Sequence, residues 1–279
     1  MFGREKIQYK TGDQILVMRR AGLVVADALA AARAAAVPGA TTADLDAAAR
    51  AVIEGAGATS NFLGYGHPPF PAVTCVSVND EVVHGIPGPR ELEPGDLVSV
   101  DCGAVVRDEH GVGWHGDAAL TLVVGGPEAA DPEDLALSQA THDSLWAGIA
   151  ALAVGRPLSD VGAAVEDAVG ERFAILDGYT GHGIGTAMHM APEVLNYRTR
   201  ERGPKVRAGL VVAIEPMCVR GGGGTRVADD EWTVVSDDGS RGAHWEHTVA
   251  VHDLGVWVLT APDGGAAGLA PHGVVPVPL

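Results

Sequence analysis

Basic residues are scarce in this chain: 19 Lys and Arg stand against 36 Asp and Glu, a formal net charge of −17. Phosphate recognition needs clustered cations, so direct nucleic-acid recognition is not expected; a solvated acidic surface accounts for most of the imbalance. Cysteine is equally sparse. Cys75, Cys102 and Cys218 are odd in number, far apart and form no C-x-x-C pair, which excludes a disulfide framework and a zinc knuckle. No uninterrupted apolar run reaches the length of a membrane span, and the opening MFGREKIQYKTGDQ has no apolar h-region of a signal peptide. The cytoplasm is the expected compartment, with no membrane partner. Neither a G-x-S-x-G elbow nor a P-loop occurs. One G-x-G-x-x-G match, GVGWHG from Gly111 to Gly116, leads into a strand-like run and so lacks the context of a dinucleotide site.

What is present is an apolar content of 47%, rich in Ala and Val, over 279 residues, enough to bury a substantial core. Ile15, Met18, Ala21, Gly22, Val25 and Leu29 recur at helical spacing after a cap at Thr11 or Asp13, and Val37-Pro38-Gly39 ends that helix. A second helix starts at Thr41 or Thr42. Strand-like runs follow: AVTCVSV, DLVSVDCG and AALTLVVG. The pattern then begins again. Asp131-Pro132 opens a third helix, Ser159 caps a fourth, and more strands follow. The stretch from about Pro262 is rich in Gly, Pro and Val and reads as a loose tail, residues 262–279, behind a single catalytic domain, residues 1–261.

The clearest internal match sets EPGDLVSVD against VRAGLVVAIE. In each, a glycine (Gly95, Gly209) precedes an apolar strand that ends in a carboxylate (Asp101, Glu215). A second acid follows on a later strand-like segment, Asp117 in the first half and Glu246 in the second. One acid ending a buried strand is ordinarily salt-bridged or capping. Four that converge repel one another unless cations lie between them, and carboxylates are natural bridges between two metals. His84, His182 and His189 sit among glycines that favour a shaped cleft, whereas His115 and His244 lie close to Asp117 and Glu246 with outer or surface roles both open. Cys102 follows Asp101 directly and belongs on the opposite face of its strand.

The order HGIP, VDCG, HGD, GHGIG, MHMAPE, IEPM, WEHT resembles the methionine aminopeptidases of the pita-bread metallopeptidase family, from about Ile7 to about Leu259. The short His189-to-Glu215 spacing is similar to type I, and the lack of a zinc-binding extension to the short bacterial form. The resemblance implies an α/β (α+β) pita-bread fold: two pseudo-twofold halves, antiparallel strands inside and helices outside. It implies two divalent ions (Co, Mn, Fe or Zn) on Asp101, Asp117, His182, Glu215 and Glu246, with Asp117 and Glu246 bridging. A hydroxide shared by the ions would attack the scissile carbonyl, Glu215 would carry the proton, His189 would stabilise the tetrahedral intermediate, and His84 would bond the scissile amide nitrogen or the leaving amine. Tyr65, Phe70, Cys75 and Trp232 match the methionine pocket, and Met188 lines it at a position where the family commonly has an aromatic residue; the loop before Pro71 and the segment between Asp101 and Asp117 are longer than usual for the family. The implied partners are N-terminal Met peptides and nascent chains whose second residue is small, acted on by a monomer. The ribosome is a candidate partner with no docking patch defined by the sequence. Two rival readings stay open at this stage: a proline-specific peptidase of the same fold, and a non-catalytic pita-bread binding module.

Overall fold

The computed structural model describes residues 6–279; residues 1–5 of the expected catalytic domain lie outside the described residues. Helix α1 (Gly12–Ala35) starts at Thr11, whose hydroxyl accepts from the Gln14 N–H while the Gln14 side chain accepts from the Thr11 N–H. Helix α2 (Thr42–Gly55) begins with the same reciprocal device between Thr41 and Asp44. Each box satisfies two otherwise orphaned donors, which sets these starts where the sequence places them. Helix α3 (Pro132–Ala151) follows Asp131, whose carboxylate accepts from the Glu133 N–H. Helix α4 (Ser159–Val169) departs from expectation: Leu158 is its cap and Ser159 its first helical residue. No side chain is needed there, because the Leu158 and Ser159 N–H groups donate to the Pro204 and Arg202 carbonyls.

The principal strands are β1 (Thr74–Val78), β2 (Leu97–Arg107), β3 (Gly113–Val123), β4 (Gly181–Gly183), β5 (Met190–Val194), β6 (Val211–Ile214), β7 (Glu246–His252) and β8 (Gly255–Val258). The large sheet runs β1-β2-β3-β7-β6-β4-β5, antiparallel throughout, with β8 beside β7. This order mirrors itself about the β3–β7 seam. The first half contributes an outer and an inner strand, β2 and β3; the second contributes β6 and β7. Asp101 on β2 and Glu215, one residue beyond β6, therefore occupy matching strands. Asp101 does not end its strand as the sequence suggested. β2 continues to Arg107 because Gly103–Arg107 pair with Gly113–Asp117 of β3. The long segment between the two acids is thus a hairpin extension, closed at its tip by Asp108, which accepts from the His110 and Val112 N–H groups.

Side chains alternate along a strand, so the even-numbered Val98, Val100, Cys102, Ala104 and Ala118 face away from the acids. They pack with Val25, Leu29 and Ala32 of α1 and Leu45 and Ala49 of α2. In the second half Val212, Ile214, Val249 and Val251 pack with Leu145 and Ile149 of α3 and Val161 of α4. Both helix pairs thus cover one face of the sheet and leave the other for chemistry. Directly beside Asp117, a Cβ on Gly116 would stand 2.9 Å from the backbone nitrogen of Gly22, so the contact of α1 with β3 requires glycine.

The stretch from Pro262 is packed, which corrects the loose tail. Helix α5 (Ala266–Leu269) buries Leu269 in the core of the second half. Asp263 accepts from the Gly265 and Ala267 N–H groups, and the Val277 N–H donates to the Val256 carbonyl. One apolar anchor, Leu269, was hidden by the Gly and Pro around it. Among the described residues no helix is long and apolar enough to cross a membrane.

Candidate metal centre

Strand register alone gathers the acids. Asp101 and Glu246 each lie opposite Ala119, from the two sides of β3, and Asp117 is two residues from Ala119. His182 lies opposite Ala213, which lies opposite Thr248; Glu215 is two beyond Ala213 and Glu246 two before Thr248. By the two-residue period all five side chains share one face. Cys75, opposite Asp101, joins them.

Donor atoms of Asp117, His182 and Glu246 lie within 4.8 Å of one another, and His182 Nε2 is 3.3 Å from Glu215 Oε1. One carboxylate oxygen of each acid (Asp101 Oδ1, Asp117 Oδ1, Glu215 Oε1, Glu246 Oε1) is buried without a hydrogen-bond partner. Burial pushes the Asp101 carboxyl up to about 8. Burial first, then the neighbouring acids, push Asp117, Glu215 and Glu246 well above the ordinary carboxylate range. A folded protein that collects four such groups at one point needs cations there. The donor set, four carboxylates and one imidazole, fits divalent Mn, Fe, Co or Zn.

The glycines around His182 explain its motif. A Cβ on Gly181 would collide with the Ala213 carbonyl, and one on Gly183 with the Ala191 carbonyl. Neighbouring backbones thus close on β4 and fix the ring between them. Its Nδ1 lies 3.1 Å from the Gly183 carbonyl, and burial holds its pKa down to about 3. With Nδ1–H donating to that carbonyl, Nε2 presents a free lone pair to the acids. His189 packs against this ring at 4.3 Å between centroids, and its Nδ1 is 2.6 Å from the Tyr65 hydroxyl. His84 adopts a left-handed backbone with φ of 59°, rare outside glycine, which turns its ring towards Trp232 and Tyr179. Its pKa is held down to about 4, by burial first and the charge of His189 second.

All twelve residues expected at the site line one cavity of about 190 Å³. Its apolar part is a cluster of Phe62, Phe70, Ala72, Cys75 and Met188, closed by Trp232, whose indole N–H donates to the Pro68 carbonyl. The Cys75 thiol is pushed well up by burial and by Asp101 and Asp117, so it serves as a neutral wall. Phe62 and Met217 also line the cavity and were not foreseen, and so does His244, for which an outer and a surface role had both stood open. Met217 lies two residues from Glu215 and His244 two from Glu246, a spacing that could have placed both on the acid face. Nothing in the local pattern marked Phe62. A larger cleft of about 590 Å³, near Arg33, Gln139 and Trp245, shares no residue with the acids. Size and chemistry point to different places, and the chemistry is in the smaller cavity.

Metallopeptidase family M24 matches residues 17–253. Methionine aminopeptidase 1 of Mycobacterium tuberculosis is 52% identical over 92% of this chain and 96% of its own length. Methionine aminopeptidase 1 of Bacillus subtilis is 38% identical over 90% and 98%. The crystal structure of methionine aminopeptidase from Thermotoga maritima superposes with a TM-score of 0.84 at 37% identity, covering 91% of this chain and 99% of that one. The prolidase from Pyrococcus furiosus shares the fold, with a TM-score of 0.69 at 19% identity, but this chain covers only 65% of it. The two-halved sheet with helices on one face is accordingly the pita-bread fold, and the chain belongs to metallopeptidase family M24, on its type I methionine aminopeptidase branch.

Proposed function

We propose that this chain is a metal-dependent methionine aminopeptidase, removing the N-terminal methionine of nascent proteins and peptides whose second residue is small. One observation carries the reading: four acids, each with a buried and unpaired oxygen, open into the same cavity as an apolar slot. Asp101, Asp117, His182, Glu215 and Glu246 would hold two divalent ions, with Asp117 and Glu246 as the ligands the two ions would share. The ion pair, when bound, supplies an acidified water and polarises the scissile carbonyl.

The remaining work falls to side chains of this chain. Glu215 takes up the proton released in the attack and returns it to the leaving amine. With the Tyr65 hydroxyl, 2.6 Å away, donating to Nδ1 of His189, Nε2 carries the proton and donates to the carbonyl oxygen as negative charge develops there. His84, neutral over the working range and fixed by its left-handed backbone, bonds the scissile amide nitrogen. The substrate amine binds on the Asp101 side. Phe62, Phe70, Cys75, Met188 and Trp232 receive the methionine side chain and exclude water. The same reading puts a monomer in the cytoplasm, acting on nascent chains.

The test compares Met release from Met-Ala-Ser with hydrolysis of Ala-Pro, with and without a chelator. Chelator-sensitive Met release with no cleavage of Ala-Pro supports the reading. Preference for Ala-Pro would make the chain a proline-specific peptidase, and inactivity on both in excess metal would make it a binding module.

A further inference from the structure

His244 lines the cavity yet has no role in the reading above. It is 2% exposed, and its Nε2 has no hydrogen-bond partner. Buried nitrogens are rarely left so. Its backbone is locked in place: the Thr121 hydroxyl accepts from the His244 N–H at 3.0 Å and donates to the His244 carbonyl at 2.8 Å, while the residue pairs with Met217. The ring is therefore aimed by its strand.

Nε2 stands 3.8 Å from Glu215 Oε2 and 3.9 Å from Glu246 Oε2. Both separations are too long for hydrogen bonds. Two donors on one zinc-like ion, each about 2.1 Å away, can stand at most about 4.2 Å apart, so both fall within the span of a single ion. Glu215, His244 and Glu246 together present donor atoms within 4.8 Å of one another. His182 approaches the other oxygen of Glu215, so that carboxylate has one imidazole on each side.

We propose that His244 is a further ligand, a second imidazole, on an ion held by Glu215 and Glu246. The inference rests on the metalloaminopeptidase reading. A second nitrogen donor tilts an oxygen-rich site away from manganese and towards zinc. His244 thus sets which metal this chain retains.

The test titrates the metal-free full chain calorimetrically with Zn²⁺ and with Mn²⁺, beside His244→Gln and His244→Ala. In both variants one of the two zinc sites should weaken by more than about 100-fold, beyond the 10–100-fold loss usual for an outer partner of a ligand. Manganese should weaken less, and the second zinc site should hold. X-ray absorption of the wild-type two-zinc protein should count two imidazoles per zinc pair, falling to one in the Gln variant. Should the Ala variant fail to fold, the Gln variant and the wild-type imidazole count decide. Unchanged zinc affinity overturns the proposal. So does loss in the Ala variant with full recovery in the Gln variant, which would mean hydrogen-bonding support and no ligation. A wild-type chain that takes up no divalent ion sinks the aminopeptidase reading as well; one that takes up two, matched by both variants, sinks this inference alone.

Discussion

The Tyr65 hydroxyl lies 2.6 Å from Nδ1 of His189, a contact in which either partner could donate; a carbonyl contact through Nε2–H requires the hydroxyl to be the donor. A hydroxyl donated to Nδ1 leaves the proton on Nε2. His189→Ala should lower kcat by about 10²–10³ with metal content intact, the cost of losing a donor used in the transition state. Tyr65→Phe removes only the orienting bond, worth about 0.5–1.5 kcal/mol, or roughly two- to tenfold in kcat. Steady-state kinetics with metal analysis of the same samples checks both. Metal loss in the His189 variant would reassign the residue to the metal centre.

Asp117 and Glu246 sit on the two strands that form the central seam of the sheet, with Asp101 and Glu215 outside them. On the proposed reading each central acid would be shared between the two ions. Asp117→Ala and Glu246→Ala should therefore lose both ions, and Asp101→Ala mainly one. Metal content after gel filtration, by atomic emission, gives the ranking. Retention of two ions in the Asp117 variant would show that it is not a shared ligand.

The site was legible because the two halves repeat the same short signals. Asp101 and Glu215 follow Gly95 and Gly209 at one spacing, and each is followed by a second acid on another strand. Strand boundaries were less legible. The apolar run after Gly95 ends in the carboxylate Asp101, which reads as a strand end, yet long-range pairing with β3 carries the strand on to Arg107. Ser159 has the chemistry of a cap, but carbonyls from the 202–204 segment do that work. Leu269 and Phe62 depend on contacts with residues distant in sequence, which composition and periodicity do not report.

The buried acids also set a pH dependence in the metal-free chain. Asp101 rises from about 3.9 when unfolded to about 8 when folded, so the folded state binds the extra proton. Its stability contribution is full below about pH 4 and is lost as pH rises towards 8; Asp117, Glu215 and Glu246 shift in the same direction. Asp101→Asn does not titrate. The metal-free melting temperature of this variant should gain on wild type steadily between about pH 4 and 8. Excess divalent metal should reverse the trend in wild type, since binding needs deprotonated ligands. A variant-minus-wild-type difference that stays flat across the range would contradict the assignment.

Substrate choice follows from the shape of the cavity, and it divides into two parts. The first residue must enter the slot of Phe62, Phe70, Cys75, Met188 and Trp232, which suits unbranched, flexible Met better than a side chain branched at Cγ on the proposed reading. The second residue must pass beside His84 and His189, both held in place, the one by its backbone and the other by Tyr65. A bulky side chain there moves the carbonyl off line, and a misplacement of about 1 Å can cost about 100-fold in rate. Met should accordingly be released ahead of Gly, Ala, Ser, Thr, Cys, Pro or Val, and kcat/KM for Met-Ala should exceed that for Met-Leu by about 100-fold. Leu-Ala should be poor through KM and kcat together, because the slot both binds and orients. Rates for Met-Ala, Met-Leu and Leu-Ala peptides under one metal condition separate the parts. Equal cleavage of Met-Leu removes the argument from His84 and His189, and a preference for Leu-Ala removes the argument from the slot.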